Sequence, residues 1–293
     1  EKISPWRLYK DQNSYLISFW FSRGYAVYDH DWKLIKYSSV LPGGAQGIYK
    51  HCVFDVFKSQ NKHLWYISED KIVEQNKGKS SIVTLTGKKG KIRIPVFRNI
   101  IERRDGLFWI RTVDQGIYLF DPQNSKFLRQ YQISGTKKYL YMGLDSLNRL
   151  WVGCDVGLYC YNELADSLER QGISAENYSM EDNNLKNIVY YVNFDEWNNK
   201  WISTEGGLMF QKNGSKNFSE ILKPNGESFN LNYKSLWDKS GNLWINQQNA
   251  LIRYNPKKNN ISIFDAKYGL PKYYKGFSGV FDWLDARSIV IGS

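Results

Sequence analysis

The sequence predicts an all-β fold, a β-propeller of seven four-stranded blades. Three observations predict it: a tryptophan-bearing hairpin motif that recurs along the chain, a repeat length of about 45 residues, and period-2 alternation of apolar and polar residues within the hairpins. No repeat shows helical periodicity, which argues against helical solenoids with repeats of similar length.

The clearest copy of the motif is DSLNRLWVGCDVGLYCY at 145–161. An acidic residue and a polar turn precede one apolar strand, and a short glycine turn leads into the next, which is hairpin chemistry. Clear copies recur at 103–120, 195–210 and 238–254, and weaker ones at 12–28, 60–73 and 284–292.

One large apolar residue anchors each copy. The spacings between successive anchors are 49, 44, 42, 50, 43 and 45 residues. Agreement between spacing, turn glycines and alternation makes chance a poor explanation. The anchors are Leu16, Trp65, Trp109, Trp151, Trp201, Trp244 and Ile289.

Each repeat divides into four strands. In the fourth repeat we predict strands at Tyr139–Leu144, Arg149–Cys154 and Gly157–Asn162, and an outer strand within Glu169–Met180. The second strand carries the tryptophan, whose ring is expected to fill the wedge between neighbouring sheets. Its replacement by alanine would cost about 3–5 kcal/mol.

We interpret residues 1–293 as a single propeller domain. The last blade is incomplete in this chain, and the first begins mid-pattern, which suggests a processed or excised piece. The predicted blades span 1–43, 47–88, 92–134, 137–180, 185–227, 229–268 and 273–293.

Three aspartates stand six residues before their tryptophans: Asp145, Asp195 and Asp238. Regularly placed acids suggest catalysis, but their recurrence in successive repeats favours a turn device. We expect each carboxylate to accept hydrogen bonds from backbone amides of the following turn, as in Asx-turns.

These hairpins resemble the two-component regulator propeller repeat. The matching segments are 106–122, 148–162, 198–210 and 240–256, and YGLPKYYKGFSG at 268–279 is similar to the Gly-Leu-Pro start of a late blade. The resemblance implies the periplasmic sensor half of a hybrid two-component system. In that family an immunoglobulin-like domain, a membrane helix and a histidine kinase follow the propeller.

The amino-acid composition limits the classes of partner and the disulfide content that can be expected. The formal net charge is +11, which reflects either a solvated lysine excess or attraction to an acidic partner such as a uronate or sulfated glycan, or a nucleic acid. Three cysteines give no disulfide framework, and we interpret them as small buried apolar residues.

Catalytic and metal motifs are missing from the sequence. Its three histidines lie outside metal-ligand spacing, and no phosphate loop or nucleophile elbow is present. We therefore expect no cofactor and no enzymatic activity. The alternative is a propeller lyase or glycosidase, whose candidates are Glu205, Asp155, Asp114 and His51.

Candidate ligand contacts lie where first strands begin and where second strands lead into third strands, because propellers bind at that loop face. Aromatic rings beside polar groups suit the CH faces and hydroxyls of a sugar. The candidates are Arg23, Tyr49, His51, Arg98, Arg111, Asp114, Tyr139, Asp155, Tyr190, Glu205, Tyr233, Gln248 and Tyr274.

The leading hypothesis is a non-enzymatic periplasmic sensor of an inner-membrane receptor. It would bind an oligosaccharide, with an acidic glycan favoured by the basic net charge, and signal to a downstream kinase. The expected partners are that glycan and a neighbouring propeller or second protomer. No nucleic-acid partner is expected, and contact with a membrane is expected only through downstream segments. A structural platform for protein interaction is a further alternative.

Overall fold

A computed structural model describes residues 5–11, 14–19, 24–39, 42, 53–68, 71–84, 96–172, 187–229, 232–247, 249–270, 281–283 and 288–291. Within these ranges the regular structure is β-strand, apart from one short 3-10 turn at Ala266–Tyr268. No helix in this part of the chain has the length and apolarity needed to cross a membrane. The chain divides into two compact units near residue 132.

Unit 1 contains sheets 1, 2 and 3, each an antiparallel meander of four strands. Alternating side chains and polar turns close these hairpins, as the sequence predicts. The strands of unit 1 are β1 (Pro5–Asp11), β2 (Ser14–Phe19), β3 (Tyr25–Tyr28), β4 (Leu34–Ser38), β5 (Asp55–Lys58), β6 (Leu64–Ile67), β7 (Lys71–Asn76), β8 (Lys79–Thr84), β9 (Phe97–Glu102), β10 (Phe108–Thr112), β11 (Ile117–Asp121) and β12 (Lys126–Tyr131).

Unit 2 contains sheets 4, 5 and 6, with the same strand order, and one two-stranded sheet. Its strands are β13 (Tyr139–Leu144), β14 (Leu150–Cys154), β15 (Gly157–Asn162), β16 (Ser167–Gln171), β17 (Val189–Phe194), β18 (Lys200–Thr204), β19 (Gly207–Gln211), β20 (Ser219–Ile221), β21 (Asn232–Trp237), β22 (Leu243–Gln247), β23 (Ala250–Asn255), β24 (Asn260–Phe264), β25 (Phe281–Trp283) and β26 (Ile289–Ile291).

The predicted count of seven blades is wrong, because the described residues form six four-stranded sheets. Where the seventh repeat is described, at 281–283 and 288–291, it contributes the pair β25 and β26. The six predicted blades upstream have 40 to 44 residues each, and the predicted seventh has 21 residues in this sequence, about half of a four-stranded blade. The all-β class and the four-stranded antiparallel blade are confirmed.

Within each unit the core lies between the faces of successive sheets. Trp65 is 1% exposed and belongs to an apolar cluster that joins sheets 2 and 3. Trp151 packs in the cluster between sheets 4 and 5, and Trp201 in the cluster between sheets 5 and 6. The prediction that anchor tryptophans fill the wedge between neighbouring sheets is confirmed for these three.

The predicted aspartate turns are also confirmed. Asp145 Oδ1 accepts hydrogen bonds from the amides of Leu147 at 3.0 Å and Arg149 at 2.9 Å. Asp195 and Asp238 accept the amides two and four residues further on in the same way. This turn joins the first strand of a sheet to the second. We call this edge the lower end of the sheet, and the edge where the second strand leads into the third the upper end.

Candidate ligand-binding site

A β-bulge recurs near the upper end of the first strand in five of the six sheets. The ladder between first and second strands skips one residue there, so that one side chain leaves the strict alternation. Bulges redirect side chains and occur beside functional sites. The bulged residues are Trp6, Arg98, Leu140, Tyr190 and Tyr233.

Three of these five residues, Arg98, Tyr190 and Tyr233, are among the contacts predicted from sequence. The bulge itself was not predicted, because one inserted residue leaves a period-2 pattern readable in either register. Position within the repeat was the signal from which the bulge could have been found. In each of the five sheets the bulge in the first strand lies opposite the peptide bond between the second and third residues after the anchor residue of the second strand.

Arg98 is held against an aromatic ring. Its guanidinium carbon lies 3.9 Å from the centre of the Phe54 ring, which is 4% exposed. The contact is a cation–π interaction between sheets 2 and 3. The neighbouring Asn99 donates its side-chain amide to the buried Asp55 carboxylate at 2.5 Å, and the Ile100 amide donates to the same oxygen at 3.1 Å. The strand that carries Arg98 is therefore fixed to sheet 2.

Arg111 lies opposite Asn99 on β10, next to the upper turn of sheet 3. Thr112 closes this turn: its hydroxyl donates to the Gly116 carbonyl at 2.8 Å and accepts from the Gln115 amide at 3.0 Å. Asp114 lies in the turn, and its charge adds to burial in raising the pKa of the nearby Tyr118 hydroxyl. Arg98, Arg111 and Asp114 are thus all carried by the upper end of sheet 3.

Asp155 occupies the upper turn of sheet 4. Both of its carboxylate oxygens accept the Lys137 amide, at 3.2 and 3.1 Å, and its own amide donates to the Lys138 carbonyl at 3.2 Å. Asp155, which the sequence predicts as a ligand contact, therefore ties the chain segment before β13 to the upper turn.

Tyr139 is 3% exposed, and its hydroxyl accepts the Ile133 amide at 2.7 Å. Burial raises the pKa of this hydroxyl to about 12. The structure places Tyr139 inside the sheet packing rather than on an accessible rim.

Glu205 takes the same position in sheet 5 as Asp155 in sheet 4. Its amide donates to the Ile188 carbonyl at 3.1 Å, and the side chain is half-buried. Thr204 closes the turn through a 2.8 Å hydrogen bond to the Gly207 carbonyl. Tyr190, the bulged residue of this sheet, is half-buried as well. Glu205 and Tyr190 are thus both carried by the upper end of sheet 5.

Some predicted contacts fall outside the described residues, and for Tyr233 only the backbone position at the bulge of sheet 6 is described. Those outside are Arg23, Tyr49, His51, Gln248 and Tyr274.

Two features bear on the catalytic alternative within the described residues: metal-ligand groups and histidines. No group of three or more His, Cys, Asp or Glu side chains within them is arranged to hold a metal ion. His30 lies in the turn between β3 and β4, and His63 directly precedes β6. Both positions are at lower ends, away from the residues described above.

Comparison with known proteins identifies the fold. The structure superposes on the extracellular domain of a B. thetaiotaomicron protein described as a hybrid two-component system, with a TM-score of 0.73, 18% identity and coverage of 96% of this chain. It also superposes on virginiamycin B lyase from Staphylococcus aureus, with a TM-score of 0.66, 16% identity and coverage of 89% of this chain. The fold is a β-propeller.

Sequence comparison is less informative. No protein-family model matches this propeller. Histidine kinase P4 of Formosa agariphila is 22% identical over 180 residues, which are 58% of this chain. The propeller corresponds to 13% of the length of that kinase, 36% of the extracellular domain and 84% of the lyase. Two of these three proteins come from two-component signalling, and in both the matched part is a minor share of the chain.

Proposed function

We propose that this chain is a non-enzymatic sensor propeller that binds an oligosaccharide at the upper ends of its sheets and signals to a downstream kinase. The observation that carries the proposal is the recurrent bulge near the upper end of the first strand, which carries Arg98 in sheet 3 and Tyr190 in sheet 5. The similarity to an extracellular domain of a two-component system supports the sensing role and an extracellular or periplasmic location.

The side chains at the upper ends suit a polar ligand with apolar patches. Tyr190 is only half-buried at its bulge, and an aromatic ring there would cover the CH face of a sugar. In unit 1, considered by itself, Arg98 and Arg111 at the upper end of sheet 3 supply forked donors that match a carboxylate or sulfate group. The net charge of +11 favours an acidic glycan over a neutral one.

Calorimetric titration with defined neutral and uronic-acid oligosaccharides tests this binding. At least one glycan is expected to bind, and Tyr190→Ala is expected to weaken it about tenfold. The matched control is Trp197→Ala, because Trp197 is 57% exposed and lies in the lower turn of the same sheet, at the end opposite Tyr190. Failure of every oligosaccharide to bind, or equal losses in the two variants, would contradict the proposal.

The sensing step is tested separately in a full-length receptor that contains this propeller. Addition of the bound glycan is expected to change autophosphorylation of the kinase, because a ligand shifts an equilibrium only through different affinities for two states. Binding without any change in autophosphorylation would leave a structural role for the propeller and refute sensing.

A second candidate function is lyase activity, favoured by the superposition on virginiamycin B lyase. A related structure is a catalytically inactive variant in which a histidine of that enzyme is replaced by alanine. Here His30 and His63 lie at lower ends, and His51 lies outside the described residues. Incubation with virginiamycin B and with the glycan panel, followed by mass spectrometry, distinguishes the two functions. Product formation abolished by His51→Ala would replace the sensor proposal with an enzyme.

A further inference from the structure

The outer strand of sheet 1 exposes an unusual run of apolar and basic side chains. Trp32, Leu34, Ile35 and Tyr37 are 39%, 51%, 60% and 51% exposed, and Lys33 and Lys36 between them are exposed too. Successive residues of a strand point to opposite faces. This run, which we call the basic–aromatic ridge (residues 32–37), is therefore uncovered on both faces.

Other outer strands of the described sheets differ from the ridge. β8, β12 and β24 each expose one large apolar side chain: Ile82 at 44%, Leu128 at 46% and Ile263 at 47%. Isolated exposed apolar residues are ordinary, whereas a contiguous group indicates an interaction surface. The ridge is a property of sheet 1 rather than of the repeat.

Trp32 is held in a backbone conformation that a bulky residue seldom adopts. Its φ is +61°, in the left-handed region, where the corresponding turns of sheets 3, 4 and 6 place Ser125, Asp166 and Asn259. The indole is stacked on Tyr15, with ring centres 4.7 Å apart and an interplanar angle of 9°. An unfavourable conformation that presents a partly exposed tryptophan points to function.

The adjoining turn is fixed and carries the nearest acids. Asp29 Oδ1 accepts the amides of Asp31 at 3.0 Å and Lys33 at 2.8 Å, so this carboxylate is engaged within the turn. Asp31 is exposed, and the two aspartates of the turn together balance the charges of Lys33 and Lys36. The ridge itself carries only positive charge.

We propose that the basic–aromatic ridge docks this propeller on a membrane surface that contains anionic lipids. Tryptophan and tyrosine favour the headgroup region, lysines attract anionic headgroups, and aliphatic side chains enter the acyl boundary. The exposure of both faces of the ridge favours a lipid surface over a protein partner. Lipid headgroups can surround an outer strand and contact the side chains on both of its faces. A flat protein surface would cover only the alternate side chains that lie on one face. The contact would add to any attachment through downstream segments.

Vesicle co-sedimentation of the 293-residue chain tests the proposal, with phosphatidylcholine vesicles that contain or lack phosphatidylglycerol. Binding is expected only with phosphatidylglycerol, and it should weaken as salt is raised. Lys33→Gln/Lys36→Gln is expected to weaken partitioning about 25-fold, at roughly fivefold for each lysine. The matched control is Lys257→Gln/Lys258→Gln, which removes two exposed lysines from the corresponding turn of sheet 6.

Apolar insertion is tested with a second pair of variants. Ile35→Ser is expected to weaken binding several-fold, whereas Ile263→Ser, on the outer strand of sheet 6, should leave it unchanged. Equal effects of the two lysine pairs would attribute binding to the general positive charge and overturn the proposal. It is overturned as well if the protein ignores phosphatidylglycerol, or if the ridge variants lose binding to an acidic protein but not to vesicles.

Discussion

The indole Nε1 of Trp151 donates a 3.0 Å hydrogen bond to Oδ2 of Asp145, six residues earlier in the chain. The same bond joins Trp201 to Asp195 at 3.1 Å and Trp244 to Asp238 at 2.9 Å. One carboxylate therefore serves both the turn that starts the second strand and the ring that fills the wedge. Turn formation and core packing are coupled through this pair.

Removal of the Asp145 carboxylate is expected to destabilise the fold by about 2–3 kcal/mol, because two amides and a buried indole lose their acceptor. Urea unfolding of Asp145→Ala measures the loss. The matched control is Asp121→Ala: Asp121 accepts the amides of Gln123 and Asn124 in an exposed turn, without an indole partner. A loss as large for Asp121 as for Asp145 would assign the effect to the turn alone.

Low pH is expected to destabilise the protein partly because it protonates the aspartate carboxylates of these turns. Burial raises the pKa values of Asp145 and Asp238, but hydrogen bonds from their indole, amide and side-chain partners outweigh it, and the net direction is downward. A carboxyl with a lowered pKa stabilises the fold above the ordinary aspartate pKa of about 4, and this contribution is lost as pH falls through the lowered value.

Unfolding free energies measured between about pH 5 and pH 2 test this linkage. The wild-type protein is expected to lose stability more steeply over this range than Asp145→Asn/Asp238→Asn, since asparagine keeps the shape but does not titrate. Parallel pH profiles for the two proteins would show that other carboxyl groups control acid unfolding.

Truncation of two tryptophans of sheet 5 should cost very different amounts of stability. Trp201 is 5% exposed and packs edge-on against Trp237, with ring centres 5.3 Å apart. Trp201→Ala is expected to cost about 3–5 kcal/mol of the free energy of unfolding. Trp197 is 57% exposed, and Trp197→Ala should cost about 1 kcal/mol or less. Similar costs for both, measured by urea unfolding, would refute the wedge role of the anchor.

Two thiols are expected to react slowly in the folded protein. Burial raises the pKa of Cys160 to about 11 and also raises that of Cys154, which is fully buried. At pH 8 the Cys160 thiolate fraction would be about one in a thousand. In a Cys52→Ser background, a thiol-specific colorimetric reagent should label both cysteines rapidly in urea and slowly without it. Rapid labelling without urea would place these thiols in an accessible environment.

The local pattern of apolar and polar residues was sufficient to place the second and third strands of sheet 4. The third strand of sheet 4 was predicted at Gly157–Asn162 and begins and ends there, and the second differs by one residue at its start. The fourth was placed too late, within Glu169–Met180, although the strand is Ser167–Gln171. Its half-exposed residues alternate weakly, so its register depends on pairing with β15.

By itself the sequence determined the repeat, the hairpins and the aspartate turns, because each depends on residues close together in the chain. Tertiary structure alone decided the bulge that carries Arg98, the burial of Tyr139 and the bond from Trp151 to Asp145. A bulge inserts one extra residue into one strand at a point that a period-2 pattern does not mark, and burial depends on neighbours tens of residues away. Such features follow from which surfaces meet, which a one-dimensional pattern does not record.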